Sequence, residues 1–120
     1  MPGPAVRPPG EPLCSARSDG GVLLLTGEID LSNAPEVTEW VAAAVAAGVT
    51  RVDLSGVSFI CAAGVTALLA GRDACLPGAA PLTVVCSPMV LRVLSLCVTE
   101  GDGLRVVAAD GSDPMGGDAR

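Results

Sequence analysis

The chain has 120 residues and a formal net charge of −6, and 50% of its residues are hydrophobic, mainly alanine, valine and leucine. A chain of this length commonly forms one domain and can bury a core without help from a metal or a disulfide. Its arginines are scattered and it contains no lysine, so it lacks the concentrated basic surface that nucleic-acid binding needs.

Targeting signals and cysteine motifs are also not apparent. No apolar run reaches the ~20 residues that span a bilayer, and the N-terminus does not resemble a secretory leader. The 5 cysteines are widely spaced and form no Cys-x-x-Cys pair, which argues against a zinc site and a disulfide framework. We therefore expect a cytoplasmic protein without membrane insertion, metal or cofactor.

The two ends of the chain differ in composition from the middle. Residues 1–12 hold five of the ten prolines and show no apolar periodicity, which predicts a disordered leader. Residues 110–120 are rich in glycine and aspartate and predict a disordered tail. The folded domain is therefore expected over residues 13–109.

The first predicted elements are two strands and a helix. Residues 13–16 are predicted as a short edge strand and residues 22–26 as a buried aliphatic strand, followed by a turn at residues 27–30. Asn33 is then a natural N-cap for a helix with one apolar face, and Gly48 is a natural stop for it.

The second group of elements follows the same alternation. Residues 51–55 alternate apolar and polar side chains as a half-buried strand does, and residues 56–60 are predicted as a connection. A second helix is predicted over Ala62–Cys75 and a buried strand over Leu82–Cys86.

The last elements complete a recognisable fold class. Ser87 followed by Pro88 is a strong helix start, and Leu104–Ala108 reads as a final strand. Strands that alternate with helices predict crossover connections, with the first strand antiparallel at one edge. The predicted class is α/β, a mixed and mostly parallel sheet of four to five strands with crossover helices.

Side chains that could carry catalysis are scarce. The chain has no histidine, tyrosine or lysine, which removes the common general bases and the partners of a serine or cysteine nucleophile. Glu28, Asp30 and Asp53 lie near predicted strand ends, where acidic residues more often serve as turn residues or caps. No glycine-rich nucleotide-binding loop is present. We expect no enzymatic activity and no catalytic residues.

Two segments are better candidates for binding. Residues 27–30 end a predicted strand, and residues 59–64 lie between a predicted strand and the start of a helix. In a parallel sheet the carboxyl ends of strands gather at one edge, where ligands and partners commonly dock. The sequence therefore predicts a partner-binding site at this edge.

Three sequence stretches carry a family resemblance. They read L-T-G-E-I-D-L-S-N-A, then R-V-D-L-S-G-V-S-F-I-C-A-A-G-V-T-A-L-L, then L-T-V-V-C-S-P-M-V-L-R-V-L. Together they resemble the STAS domain, and most of all its bacterial anti-sigma-factor antagonist branch, over about residues 21–108. The resemblance implies a mixed, mostly parallel sheet with helices packed on it.

The resemblance also implies a mechanism called partner switching. In that branch an unphosphorylated antagonist binds an anti-sigma factor, often a serine kinase, and so frees a sigma factor to direct transcription. The kinase reverses this by phosphorylating a serine or threonine at the start of the second helix. The implied partner-binding residues of this chain are Glu28, Asp30, Ser58, Cys61, Ala62, Ala63 and Gly64.

The chain departs from the family at the switch itself. Cys61 stands where the family has an aspartate, and Ala62 stands at the phospho-acceptor position. Alanine cannot accept a phosphate, so binding is expected without the usual control. Ser55, Ser58 and Thr66 are nearby hydroxyl groups, but they are out of register with the acceptor.

Other functions remain open at this stage. STAS domains also occur as soluble accessory subunits of lipid or anion transport systems, and this is the alternative to the antagonist. An enzyme is disfavoured by the missing side chains. An exposed sheet edge is compatible with a monomer or a weak dimer.

Overall fold

The computed structural model describes residues 13–75, 81–98 and 103–109. The predicted disordered leader (1–12) and tail (110–120) lie outside these residues. Within them the elements are, in chain order, β1 (Cys14–Asp19), β2 (Val22–Ile29), α1 (Ala34–Ala46), β3 (Arg51–Ile60), α2 (Ala62–Cys75), β4 (Leu82–Cys86), α3 (Pro88–Cys97) and β5 (Leu104–Ala108).

The strands form one mixed sheet in the order β1-β2-β3-β4-β5. β1 pairs antiparallel with β2, and every later pair is parallel. Each helical crossover therefore steps to the next strand in the same direction. Because such crossovers are almost always right-handed, all three helices pack on the same face of the sheet. The predicted α/β class with a mostly parallel sheet is confirmed.

A single aliphatic core lies between the sheet and the helices. Alternate residues of the central strands share it with the inner faces of α1, α2 and α3, as period-2 and period-3.6 patterns require. Trp40 is only partly buried against it. Fully buried members include Leu25, Val37, Val41, Val52, Leu54, Leu68, Val84, Val90 and Leu94.

Most predicted boundaries are confirmed. α1 follows Asn33, carries a proline in its first turn, and is followed by Gly48 with φ of 95°. α3 follows Ser87 and begins at Pro88. The predicted second helix, fourth strand and fifth strand have the observed bounds.

Three sequence predictions about the sheet are wrong in extent. β1 runs to Asp19, since its whole length pairs with β2. Residues 27–29 are the end of β2, not a turn, and residues 56–60 are the second half of β3, not a connection. The two segments pair with each other from Thr26–Gly56 to Ile29–Ile60, with one register shift just before Thr26 and another between Gly27 and Glu28. The glycines that suggested turns therefore mark irregular positions within strands.

The two helices α1 and α2 approach each other closely at Gly71. A Cβ atom at this glycine would lie 2.7 Å from Cβ of Val41 and 2.8 Å from the carbonyl oxygen of Thr38. The backbones can hold this separation only because residue 71 has no side chain.

We expect Gly71→Ala to lower the free energy of unfolding by about 1–3 kcal/mol, because α1 must move away from α2. This loss should outweigh the helix-propensity gain of about 1 kcal/mol that alanine brings. Urea unfolding measures the difference. The control is Ala70→Ser at the exposed neighbouring position of α2, which should stay within about 0.5 kcal/mol of the parent chain. An unchanged or stabilised Gly71→Ala variant would contradict the close approach.

Four described cysteine side chains differ in exposure. Cys14 and Cys86 are buried, Cys61 is partly exposed and Cys97 is exposed. Val98, which follows α3 directly, is buried. Burial raises the pKa of the Cys86 thiol to about 12, and the charge of Asp53 acts in the same direction.

The raised pKa has a defined effect on stability. The unfolded chain loses the Cys86 proton above pH 9.0 whereas the folded chain keeps it to about pH 12. The contribution of this thiol to stability is therefore present below pH 9 and is lost as the pH rises from 9 towards 12.

The same difference predicts selective alkylation, because the thiolate is the reactive form. At pH 9, iodoacetamide should modify exposed Cys97 of the folded chain and leave Cys86 unmodified. Peptide mapping by mass spectrometry reports both positions, and labelling in denaturant should modify both and serves as the control. Equal rates at the two cysteines in the folded chain would show that Cys86 is accessible.

Candidate functional site

The carboxyl ends of β2 and β3 lie side by side at one edge of the sheet. Ile29 pairs with Ile60, and the backbone N–H of Cys61 donates a hydrogen bond of 3.1 Å to the carbonyl oxygen of Ile29. The structure thus brings together the two segments that the sequence singled out. We call residues 28–33 and 58–64 the docking edge.

Asn33 holds the first segment of the docking edge in shape. Its side-chain oxygen accepts a hydrogen bond from the N–H of Asp30, and its side-chain nitrogen donates one to the carbonyl oxygen of Glu28, both at 2.9 Å. Asn33 is 8% exposed. This N-cap residue makes no side-chain hydrogen bond to its helix, so its amide serves the loop instead.

Asp30 is fixed by the residue two positions later. Its carboxylate accepts hydrogen bonds from the backbone N–H of Ser32 at 2.9 Å and from the Ser32 hydroxyl at 2.6 Å. The hydroxyl bond, helped by the backbone bond and opposed by partial burial, lowers the pKa of Asp30 below its usual value. The docking edge therefore presents a fixed negative charge at neutral pH.

The second segment of the docking edge begins α2. The carbonyl oxygen of Cys61 accepts the N–H groups of Gly64 and Val65, which starts the helix immediately after β3. Ala62 is exposed, while Cys61 and Ala63 are partly exposed. The edge therefore offers a small, smooth surface at the helix start.

Gly64 sets how closely α2 meets the two strand ends. A Cβ atom there would lie 2.6 Å from a side-chain carbon of Ile60 and 2.7 Å from one of Ile29. Only glycine lets the start of α2 pack directly against Ile29 and Ile60. The exposed residues at the helix start therefore lie directly above the buried core.

A shallow groove extends the docking edge towards α3. β4 pairs only with Arg51–Leu54 of β3, so the second half of β3 faces the start of α3. The Ser58 hydroxyl donates to the carbonyl oxygen of Gly27 at 3.3 Å, and the Ser87 hydroxyl donates to that of Val57 at 2.7 Å. The groove has a volume of about 370 Å³ and is lined by residues 55–58 and 87–89.

Three apolar side chains are exposed at this end of the molecule. Phe59 lies in a segment that the sequence singled out, whereas Leu31 and Met89 were missed by the sequence reasoning. Leu31 is 78% exposed between β2 and α1, and Phe59 and Met89 are each 40% exposed. Each of them follows or ends a strand at its carboxyl end. A large aliphatic residue between Asp30 and a capped helix was the available signal, since such loops are usually polar. Exposed apolar groups beside fixed charge are typical of protein interfaces.

Features of other site types are not found in the described residues. Within residues 13–75, 81–98 and 103–109, no helix has both the length and the apolar character needed to cross a membrane. Across the same ranges, no three His, Cys, Asp or Glu side chains cluster as metal ligands do.

The fold and the docking edge define a class: an α/β domain of two layers with a partly apolar, acidic surface where its parallel strands end. The model of the family described as "Mlab, STAS domain" matches residues 14–101. The chain therefore belongs to the STAS domain family. A search of curated proteins found no match to it.

Solved structures that are similar to the chain include two anti-sigma factor antagonists. An anti-sigma factor antagonist from Mycobacterium paratuberculosis is 25% identical with a TM-score of 0.55, covering 77% of this chain and 82% of that one. The anti-sigma factor antagonist SpoIIAA in its unphosphorylated form is 20% identical with a TM-score of 0.53, covering 80% and 87%, and supports the fold alone. Within the family, the chain thus resembles the anti-sigma-factor antagonist branch.

The bridging role of Asn33 can be separated from a capping role. Asn33→Ala should lower the free energy of unfolding by about 2 kcal/mol, because two hydrogen bonds of a buried group are lost. Asn33→Asp keeps a good N-cap but cannot donate to the carbonyl oxygen of Glu28, so it should still lose at least about 1 kcal/mol. Urea unfolding at pH 7 measures both. If Asn33→Asp unfolded with the same free energy as the parent chain, Asn33 would stabilise the protein by capping α1 and not by its hydrogen bond to Glu28.

Proposed function

We propose that the chain is an anti-sigma-factor antagonist that binds an anti-sigma factor of the serine-kinase type through the docking edge. Binding would release a sigma factor, which places the protein in transcription regulation and in the cytoplasm. The observation that carries the proposal is the exposed start of α2 at Ala62, seated beside the fixed loop of Asp30. Family membership and the resemblance to antagonists of solved structure support it.

The chemistry of the docking edge indicates what the partner surface offers. Glu28 and Asp30 are acidic, and neither segment of the edge contains a basic residue. Complementary potentials favour a partner surface with basic side chains around its contact. The exposed Leu31 and Phe59 are suited to enter apolar pockets, where most of an interface's binding energy is usually concentrated.

The residue at position 62 determines the control expected at the usual site. Its methyl group leaves no oxygen to which a kinase could transfer phosphate. A phosphate brings about two negative charges to a packed interface. Its absence from α2 would leave the contact at this point permanently competent to bind.

The proposal predicts that Leu31 contributes strongly to binding. Leu31→Asp should weaken the complex with a kinase-type anti-sigma factor by about tenfold or more, because a charge replaces the apolar contact in a desolvated interface. The matched control is Leu96→Asp, since Leu96 is 83% exposed near the end of α3, away from the strand carboxyl ends. Calorimetry measures both affinities, using kinase-type anti-sigma factors from the same organism.

Native mass spectrometry of the same mixtures distinguishes the alternatives. A one-to-one complex supports the antagonist, and the free chain reports whether it is a monomer or a weak dimer. Binding to none of these anti-sigma factors, together with capture by soluble subunits of a lipid or anion transporter, would favour the accessory-subunit function. Equal losses from Leu31→Asp and Leu96→Asp would contradict the docking edge.

A further inference from the structure

One hydroxyl group of the docking edge stands in an environment unlike the others. The Ser32 hydroxyl donates a 2.6 Å hydrogen bond to the carboxylate of Asp30. Ser32 is exposed, and its loop follows Ile29, whose carbonyl oxygen holds the N–H of Cys61 immediately before Ala62. A serine hydroxyl therefore lies on the same edge as the alanine that cannot be phosphorylated.

Other hydroxyl groups of this end of the molecule lack such a partner. Ser58 and Ser87 donate to the backbone carbonyl oxygens of Gly27 and Val57, which cannot take up a proton at neutral pH. Within residues 13–75, 81–98 and 103–109, the hydroxyl of Ser32 alone donates to a carboxylate. The low pKa of Asp30 keeps that carboxylate ionised as an acceptor.

We propose that Ser32 is the phosphoryl acceptor of the docking edge, taking the place of the missing hydroxyl at position 62. This inference rests on the proposed function, because it needs a partner that is a serine kinase with bound ATP. The Ser32 oxygen forms a bond to the γ-phosphorus as the bond from that phosphorus to the β,γ-bridging oxygen breaks. ADP leaves, and the hydroxyl proton passes to the Asp30 carboxylate and then to water.

The modification would change the docking edge where it is made. The phosphate adds about two negative charges next to a carboxylate that was previously a hydrogen-bond acceptor for the same oxygen. Repulsion from Asp30 would open the loop that both Ser32 bonds now close. A partner with basic side chains would lose the surface to which it was fitted. The switch would thus act from the start of α1.

The test uses the full chain and a panel of purified kinase-type anti-sigma factors from the same organism. Each is first mixed with the chain without ATP, and native mass spectrometry reports the complex. ATP and Mg²⁺ are then added, and peptide mapping locates any phosphate. We expect one phosphate, on Ser32, and a fall in affinity of about tenfold or more for the phosphorylated chain. Ser32→Ala should take up no phosphate, and its complex should not respond to ATP.

Two further variants sharpen the result. Ser18→Ala removes an exposed serine of β1 near the opposite edge of the sheet, and it should be phosphorylated at the same rate as the parent. Asp30→Asn keeps an acceptor oxygen but removes the base, so single-turnover transfer within a saturated complex should slow by about 10²-fold. An unchanged single-turnover rate would overturn the role of Asp30.

The outcomes separate this inference from the proposed function. A complex that forms without ATP but gains no phosphate, or gains it at another residue, overturns the inference while the antagonist function stands. Phosphorylation of Ser32→Ala at the parent's rate also overturns it. Failure to form a complex with every member of the panel contradicts the antagonist function, and the inference falls with it.

Discussion

The rest of the structure depends on the parallel pairing that carries β2 and β3 together to their carboxyl ends. The pairing continues through two irregular positions to Ile29 and Ile60, and the N–H of Cys61 then takes the carbonyl oxygen of Ile29. Because both strands end at the same level, the loop before α1 and the start of α2 leave the sheet together. A pairing that ended at Thr26 would separate the two segments. The register of β2 against β3 therefore fixes where the two loops of the docking edge lie.

Two residues position the exposed segments relative to the strand ends, each in a different way. Gly64 does so by lacking a side chain, which lets α2 begin directly on the buried pair of isoleucines. Asn33 does so with its amide, which joins the backbone at Glu28 to the backbone at Asp30 while itself being buried. Because the buried Asn33 amide hydrogen-bonds the backbone of this loop, the Asp30 carboxylate and the exposed Leu31 are held in one arrangement. Such pre-organisation reduces the ordering cost that a binding surface otherwise pays when it meets a partner.

The sequence predicted the elements better than their extent. Helix starts at Asn33 and Ser87 were predictable because capping residues and first-turn prolines act locally. Gly27 and Gly56 misled, because a glycine reads alike in a turn and at an irregular strand position, and only pairing with another strand separates the two. The juxtaposition of Asp30 with Ala62 followed from the general geometry of parallel sheets. The exposure of Leu31 and the bridge made by Asn33 could not be predicted, since both depend on where a loop closes in three dimensions.

The carboxylate of Asp30 both holds its loop closed and contacts the hydroxyl of the proposed phosphorylation site, Ser32. In the folded chain one of its oxygens accepts both the backbone N–H and the hydroxyl of Ser32, so this oxygen closes the loop and also contacts the hydroxyl proposed as the phosphate acceptor. The loop is therefore sensitive to any modification of Ser32. A phosphate on its hydroxyl would replace the 2.6 Å hydrogen bond to Asp30 by electrostatic repulsion. Position 62 has no comparable partner to lose, since alanine brings neither a charge nor a hydrogen bond. The proposed phosphate on Ser32 would therefore act in the loop before α1, on the contacts that already hold the docking edge in shape.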